Sequence, residues 1–269
     1  VGALQTRLVF GSLMTALAVG MLWADGQDWP VRVILVPLLA AAAQAEFYKM
    51  ASKAGWPPNF GLGIFAGLVW TTRDSLWPWG EISLEAFTTV FVLLLLMRAV
   101  LFSQVTAAPA KLGVTLLGFF AVPFLFGYLL KLPWEWLVFC IAVAKAGDIS
   151  AYFVGSRWGS WKLIPAVSPN KSWQGAGASV LGSLLAGYLW ARLMGSENVT
   201  ATLWISAALV TNIAAQFGDL GESILKRGCG VKDSSPLIPV MGGTFDLVDS
   251  FLFAAPVLFA FLYFQEIVA

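Results

Sequence analysis

About nine apolar runs follow one another along this chain, at residues 8–24, 31–45, 60–72, 86–97, 112–130, 134–154, 175–191, 199–217 and 247–264. Each is long enough, or nearly so, to cross a bilayer as a helix of roughly 20 residues, the third and fourth being the shortest. The rest of the composition agrees: 59% of the residues are hydrophobic and only 12% charged, where a soluble domain carries about a quarter. The expected fold is therefore an all-α polytopic integral membrane protein with polar loops on its cytoplasmic side. Arg7 precedes the first run, which is read as a span rather than as a cleaved signal because it is long and no small-x-small site follows it. Two regions are expected: 1–130, a transmembrane region of unassigned role, and 131–269, a transmembrane region that carries the chain's polar motifs.

Orientation follows from the Lys and Arg positions. With a cytoplasmic amino terminus, eleven bases fall on the cytoplasmic side: Arg7, Lys49, Lys53, Arg98, Lys111, Arg157, Lys162, Lys171, Lys226, Arg227 and Lys232. Four, namely Arg32, Arg73, Lys131 and Arg192, fall on the other, and Lys145 lies inside the sixth run. The bilayer is thus the first expected partner. Nucleic acid is not expected, because the net charge is +1 and the bases are dispersed rather than massed in a stripe. Cys140 and Cys229 make no metal or redox spacing and are expected to be spectators. The chain has no histidine, so any chemistry must run on carboxylates, lysines or a metal.

Polar groups inside or beside apolar runs are costly and are functional candidates. Asn212, Gln216, Asp219 and Ser223 recur at steps of four, three and four, a single stripe on one helical face. Asp219 and Glu222 are three apart, as are Asp246 and Asp249 where the last run begins; Lys145 and Asp148 repeat the spacing, with Tyr152 a turn further. Carboxylates gathered at a membrane surface repel one another unless a cation sits among them, and hard oxygen ligands suit Mg²⁺. The plainer alternative is that Lys145 and Asp148 form an interhelical ion pair and that the loop charges are solvated.

Two polar islands stand out. From Lys226 to Ser250 the chain reads KRGCGVKDSSPLIPVMGGTFDLVDS, with Lys226, Arg227, Lys232, Asp233, Asp246 and Asp249 within it. From Ser168 to Gly175 it reads SPNKSWQG. In the second, Pro169 and Asn170 favour a turn, Ser172 can cap the following helix, and Lys171 sits where free N–H groups favour an anion. The resemblance to a P-loop is superficial, since the glycine spacing is missing. A lysine and a tryptophan there are equally the marks of a membrane interface, Lys171 snorkelling and Trp173 anchoring.

Taken together, DISAYFVGSRWG (from Asp148), SPNKSWQG, GDLGESILKR (from Gly218), GVKDSS and GGTFDLVDS resemble the phosphatidate cytidylyltransferase family, the CDP-diacylglycerol synthases. The likeness runs from about Lys145 to Pro256; before it the chain is similar only in being apolar. Met241 and Leu247 depart from the family pattern, which has His before the glycine pair and Arg after the first closing aspartate. The resemblance implies attack of phosphatidate on the α-phosphorus of CTP, giving CDP-diacylglycerol and pyrophosphate. It implies Asp219 and Asp246 as Mg²⁺ ligands with Asp249 as a further one, and a second, monovalent cation as an additional candidate. Lys171, Lys226, Arg227 and Lys232 become contacts for the triphosphate and the lipid phosphate, and Gly242 and Gly243 let backbone approach a phosphate. Asp148, Ser168, Asn170, Ser172, Glu222 and Asp233 are carried over with the motifs that contain them. CTP, phosphatidate and a second copy of the chain are the partners to expect. Two rival readings are a catalytically silent family member, suggested by Met241 and Leu247, and a cation-coupled transporter, which would also place Lys145, Asp148, Asn212 and Gln216 inside spans.

Overall fold

The computed structural model of the chain describes residues 20–21, 24–27, 30–76, 83–102, 105–194, 199–236 and 242–268. Apolar runs with few interruptions become helices: α1 (Val31–Lys53), α2 (Phe60–Leu76), α3 (Leu84–Phe102), α4 (Ala108–Phe119), α5 (Tyr128–Lys131), α6 (Trp134–Trp158), α7 (Trp173–Leu193), α8 (Ala201–Gly228) and α9 (Thr244–Phe264). A π-helical segment, Phe120–Phe124, continues α4 at Pro123, whose missing N–H cannot join the regular ladder. Among the described residues six stretches are long and apolar enough to cross a membrane: α1, α3, Val105–Lys131, α6, α8 and α9. Two expected spans are absent from that set. At 17 residues α2 is short, and α7 is diluted with Gly and Ser. The run at 8–24 lies almost wholly outside the described residues.

Leu93, Leu96, Met97, Val100, Leu101 and Phe102 on α3 stand exposed, as do Leu181, Leu185 and Leu189 on α7. Water would not tolerate such surfaces; lipid does.

The chain divides into two compact units, one comprising residues up to Leu130 together with Gly228–Val248, the other Lys131–Arg227 with the chain from Asp249 onward. Helix α9 therefore begins in the first and continues in the second. The GVKDSS and GGTFD motifs belong to the first unit, although both lie in the carboxy-terminal half of the sequence.

In the first unit α1 is pinned by polar groups that satisfy one another in an apolar setting. Gln44 Nε2 donates to Tyr48 OH (2.9 Å) and to the Gly63 carbonyl (3.1 Å), and Tyr48 OH donates to the Thr115 carbonyl (2.7 Å). A Cβ at Gly63 or Gly118 would run into the Tyr48 ring, so α1, α2 and α4 approach closely only because those positions are bare. Trp70, Phe87, Phe91 and Phe119 fill the apolar core beside them.

In the second unit α7 buries Gly175, Ser179, Ser183 and Gly187, one residue per turn, against its neighbours. This small-residue stripe lowers its hydropathy and is the reason it packs so extensively along α6. The hairpin joining the two, β1 (Lys162–Ile164) and β2 (Ser168–Ser172), is antiparallel, with Lys162 opposite Ser172. The sequence led to a turn at Pro169 and Asn170, yet both lie in β2: a two-stranded ribbon is all edge, where proline's missing donor is harmless.

Candidate active site

Helix α8 presents the polar stripe as expected. Asn212 Nδ2 donates to Ser179 Oγ of α7 (2.9 Å), Gln216 Nε2 donates to Asn212 Oδ1 (2.8 Å), and Ser223 Oγ reaches Asp219 Oδ1 (3.5 Å). Gly147 of α6 makes room for the first of these, since a Cβ there would strike the Asn212 amide. The stripe thus ties α6, α7 and α8 together and delivers Asp219 to its open end.

The hairpin delivers Lys171 to the same place. Ser172 caps α7, its Oγ accepting from the Gly175 N–H (3.2 Å). Gln174 bonds back to the Trp161 N–H (3.2 Å) and the Ser160 hydroxyl (2.7 Å), so β1 and the helix start are joined. Lys171 Nζ then lies 2.7 Å from Asp219 Oδ2, with side chains about one quarter (26%) and one third (33%) exposed. Asp249 adds its carboxylate within electrostatic reach of Asp219, Lys145 and Asp148. It arrives there because Gly218 lets α8 lie against the Asp249 backbone, where a Cβ would be 2.5 Å from the carbonyl oxygen. Lys145 and Asp148 pair at 3.1 Å within α6, along one helix rather than between two, and both are about half exposed. Ser168 and Asn170 precede Lys171 on β2, Asn170 exposed and Ser168 half-buried.

Glu222 and Lys226 are placed differently. They pair with each other at 2.6 Å on successive turns of α8, their side chains 0% and 10% exposed, so as folded they brace the helix rather than face an open surface. Arg227 is exposed and its Nε donates to the Val167 carbonyl (3.3 Å), anchoring the hairpin. Lys232 and Asp233 are exposed on the loop that follows. Burial pushes the Cys229 thiol upward, which keeps it protonated near neutrality, in line with a spectator.

In the first unit the glycine pair has a structural task. Gly242 has φ +91°, and a Cβ on it would sit 2.6 Å from Asp246 Oδ2. That oxygen accepts from the N–H groups of Gly243 (2.8 Å) and Ser234 (2.9 Å) and contacts the Ser234 hydroxyl. Asp246 thereby caps the start of α9 and holds the loop ahead of it. Leu247 is half-buried in the first turn of α9, and Met241 lies outside the described residues.

Sequence reasoning passed over Glu46. Its Oε1 accepts from the Ser235 hydroxyl (2.8 Å) and the Thr244 N–H (3.0 Å), and its Oε2 from the Ser234 hydroxyl (2.8 Å) and the Phe245 N–H (2.9 Å). A signal was available: a carboxylate in AAAAQAEFYKM is an acid in an apolar run. The span expected at 31–45 stops one residue short of it, where the charge interrupts the apolar run.

The carboxylates can be compared with what Mg²⁺ needs. Among the described residues no three Asp, Glu or Cys side chains gather closely enough to enclose a metal. Mg²⁺ in phosphate-transferring sites commonly takes one or two carboxylates and completes its shell with phosphate oxygens and water. The Asp219–Asp249 neighbourhood fits that smaller requirement. Asp246, turned to the loop's own N–H groups, fits it less well.

A model of the cytidylyltransferase family matches residues 5–265. The chain belongs to that family, and the likeness thus extends through the amino-terminal spans, which the motifs alone did not reach. A phosphatidate cytidylyltransferase of Haemophilus influenzae is 39% identical over 133 residues, 48% of this chain and 45% of that protein. One from Brucella abortus is 41% identical over 125 residues, 46% of each chain, and one from Chlamydia muridarum 36% over 131 residues, 47% of this chain and 43% of that one. Each match therefore covers just under half of the relative's length.

Proposed function

We propose that the chain transfers the cytidylyl group of CTP to phosphatidate, giving CDP-diacylglycerol and pyrophosphate. The observation that carries this reading is the Lys171–Asp219 pair, with Asp249 at its side, at the open end of a polar stripe between apolar helices. An ion pair still partly open to solvent is worth on the order of 1 kcal/mol, so substrate can separate it cheaply. Lys171 would turn to the triphosphate, whose charge also suits the start of α7, and Asp219 to the cation accompanying it. A phosphate oxygen of phosphatidate attacks the α-phosphorus, the bond to the bridging oxygen breaks, and pyrophosphate leaves with that electron pair. The attacking phosphate is already ionised near neutral pH, so a chain without histidine lacks nothing the step requires. What remains is alignment and charge neutralisation.

Asp219 and Asp249 would hold Mg²⁺, which supplies neutralising charge on the phosphates when bound. Arg227 and Lys232 are the exposed bases assigned to the phosphates, while Glu222 and Lys226 keep each other. Asp246 is reassigned from ligand to organiser of its loop.

We further propose nine spans in the cytoplasmic membrane with the site facing the cytoplasm, supported by the eleven-to-four distribution of bases. A cysteine replacing Lys162 should then react with an impermeant reagent from the cytoplasmic side alone; labelling from outside intact cells breaks this topology. For the activity, purified protein is incubated with CTP, phosphatidate and Mg²⁺. A CDP-lipid should form and chelation should stop it; no CDP-lipid at any Mg²⁺ concentration overturns the reading.

A further inference from the structure

We infer that Glu46, on α1 one residue past the second expected span, is a positioning residue for the nucleotide-binding loop: it holds Ser234, Ser235 and the first turn of α9 so that Lys232 is presented in one arrangement. The inference rests on the cytidylyltransfer reading above. Glu46 is 6% exposed, and a buried carboxylate is tolerated only where donors surround it. Four do, two on each oxygen, and they come from two separate stretches of chain, Ser234 and Ser235 on one side and Thr244 and Phe245 on the other. One side chain thus closes the loop between residues 235 and 244 at its base.

The clamp is linked to Asp246. Ser234 Oγ lies between Glu46 Oε2 and Asp246 Oδ2, while the Ser234 N–H donates to Asp246. A hydroxyl has one proton and donates to one carboxylate at a time, so Ser234 serves Glu46 or Asp246 in turn and thereby couples the two acids. Gly243 sits inside the clamp, where a Cβ would collide with both the Glu46 carboxylate and the Ser234 hydroxyl. The second glycine of the pair is thereby explained by Glu46, without a phosphate approaching its backbone. Lys232, two residues before Ser234, is exposed, and its reach depends on where that base is fixed.

Glu46→Gln tests this directly. However the amide is turned, its NH₂ meets one backbone N–H, that of Thr244 or Phe245, from which it cannot accept, while the serine hydroxyl on that side can turn to accept; the shape is kept, and one backbone anchor and the negative charge are lost. In the full-length protein, tryptic cleavage at Lys232 should speed up by at least about tenfold while cleavage at exposed Lys162 stays the same. KM for CTP should rise at least about fivefold with KM for phosphatidate within about twofold. A general loss of folded protein would lower kcat and leave both KM values in place. Ser235→Ala removes a single donor and should shift Lys232 cleavage in the same direction by a smaller factor, which serves should Glu46→Gln fail to fold. Unchanged cleavage at Lys232 in these variants, or KM values for CTP and phosphatidate that move together, overturns the inference. If the wild-type protein makes no CDP-lipid, the functional reading falls separately, and the cleavage result alone decides whether Glu46 holds the loop.

Discussion

In the first unit Glu46 and Asp246 meet neutral donors, namely backbone N–H groups and serine hydroxyls. In the second, Asp219, Asp148 and Glu222 each meet a lysine. Fixed dipoles satisfy a carboxylate by building a loop around it, and the arrangement is lost if the acid is turned to another partner. A lysine is a movable point charge, and an exposed pair separates cheaply when phosphate and cation offer each member something better. Within the second unit the same contrast is set by burial: Lys171 and Asp219 are partly open, whereas Glu222 and Lys226 are enclosed and braced. The residue type is shared, and the partner's mobility separates chemistry from architecture.

The largest expected effect tests that contrast with two isosteric changes. Asp219→Asn should lower kcat/KM by at least about a hundredfold, with part of the loss recovered at high Mg²⁺, as for a weakened metal ligand. Asp246→Asn should also impair turnover, but without recovery at any Mg²⁺ concentration, because its task is to accept from Ser234 and Gly243. Recovery of both by Mg²⁺, measured as CDP-lipid formation, would erase the distinction.

Next in size, Lys171→Ala should raise KM for CTP by at least about tenfold, since a charge-assisted phosphate contact is lost. Glu222→Gln leaves the buried Lys226 without its carboxylate and should act on stability instead, lowering the unfolding midpoint with KM for CTP unaltered. A smaller change is expected from Asn212→Leu, which breaks the link from Ser179 to Gln216. Intramembrane hydrogen bonds are worth about 0.6 to 1.7 kcal/mol, and the loss should be read as a lower thermal midpoint in detergent. At the bottom of the scale, Cys229→Ser should leave turnover within about twofold, as for a surface change away from any special feature.

Apolar runs of span length, the stripe from Asn212 to Ser223 and the cap at Ser172 were all legible along the chain, because each depends on neighbours within about four residues. The KD and GG motifs were legible as a family likeness. Their division of labour was not: spacing places Asp246 and Asp249 on one helix face, but only the fold gives the first to backbone donors and sets the second near Asp219. Glu222 and Lys226 carried no mark distinguishing them from Arg227, since enclosure is a property of the surroundings.

By itself the sequence determined that this is a helical membrane protein of the cytidylyltransferase family, since hydropathy and short motifs are local and additive along a chain. Only the tertiary structure decided that Lys171 faces Asp219 across 48 positions, and that Glu46 closes a loop nearly two hundred residues away. Such contacts leave no period in the sequence. They exist because a buried carboxylate must be surrounded by donors, and the chain may bring those donors from any distance.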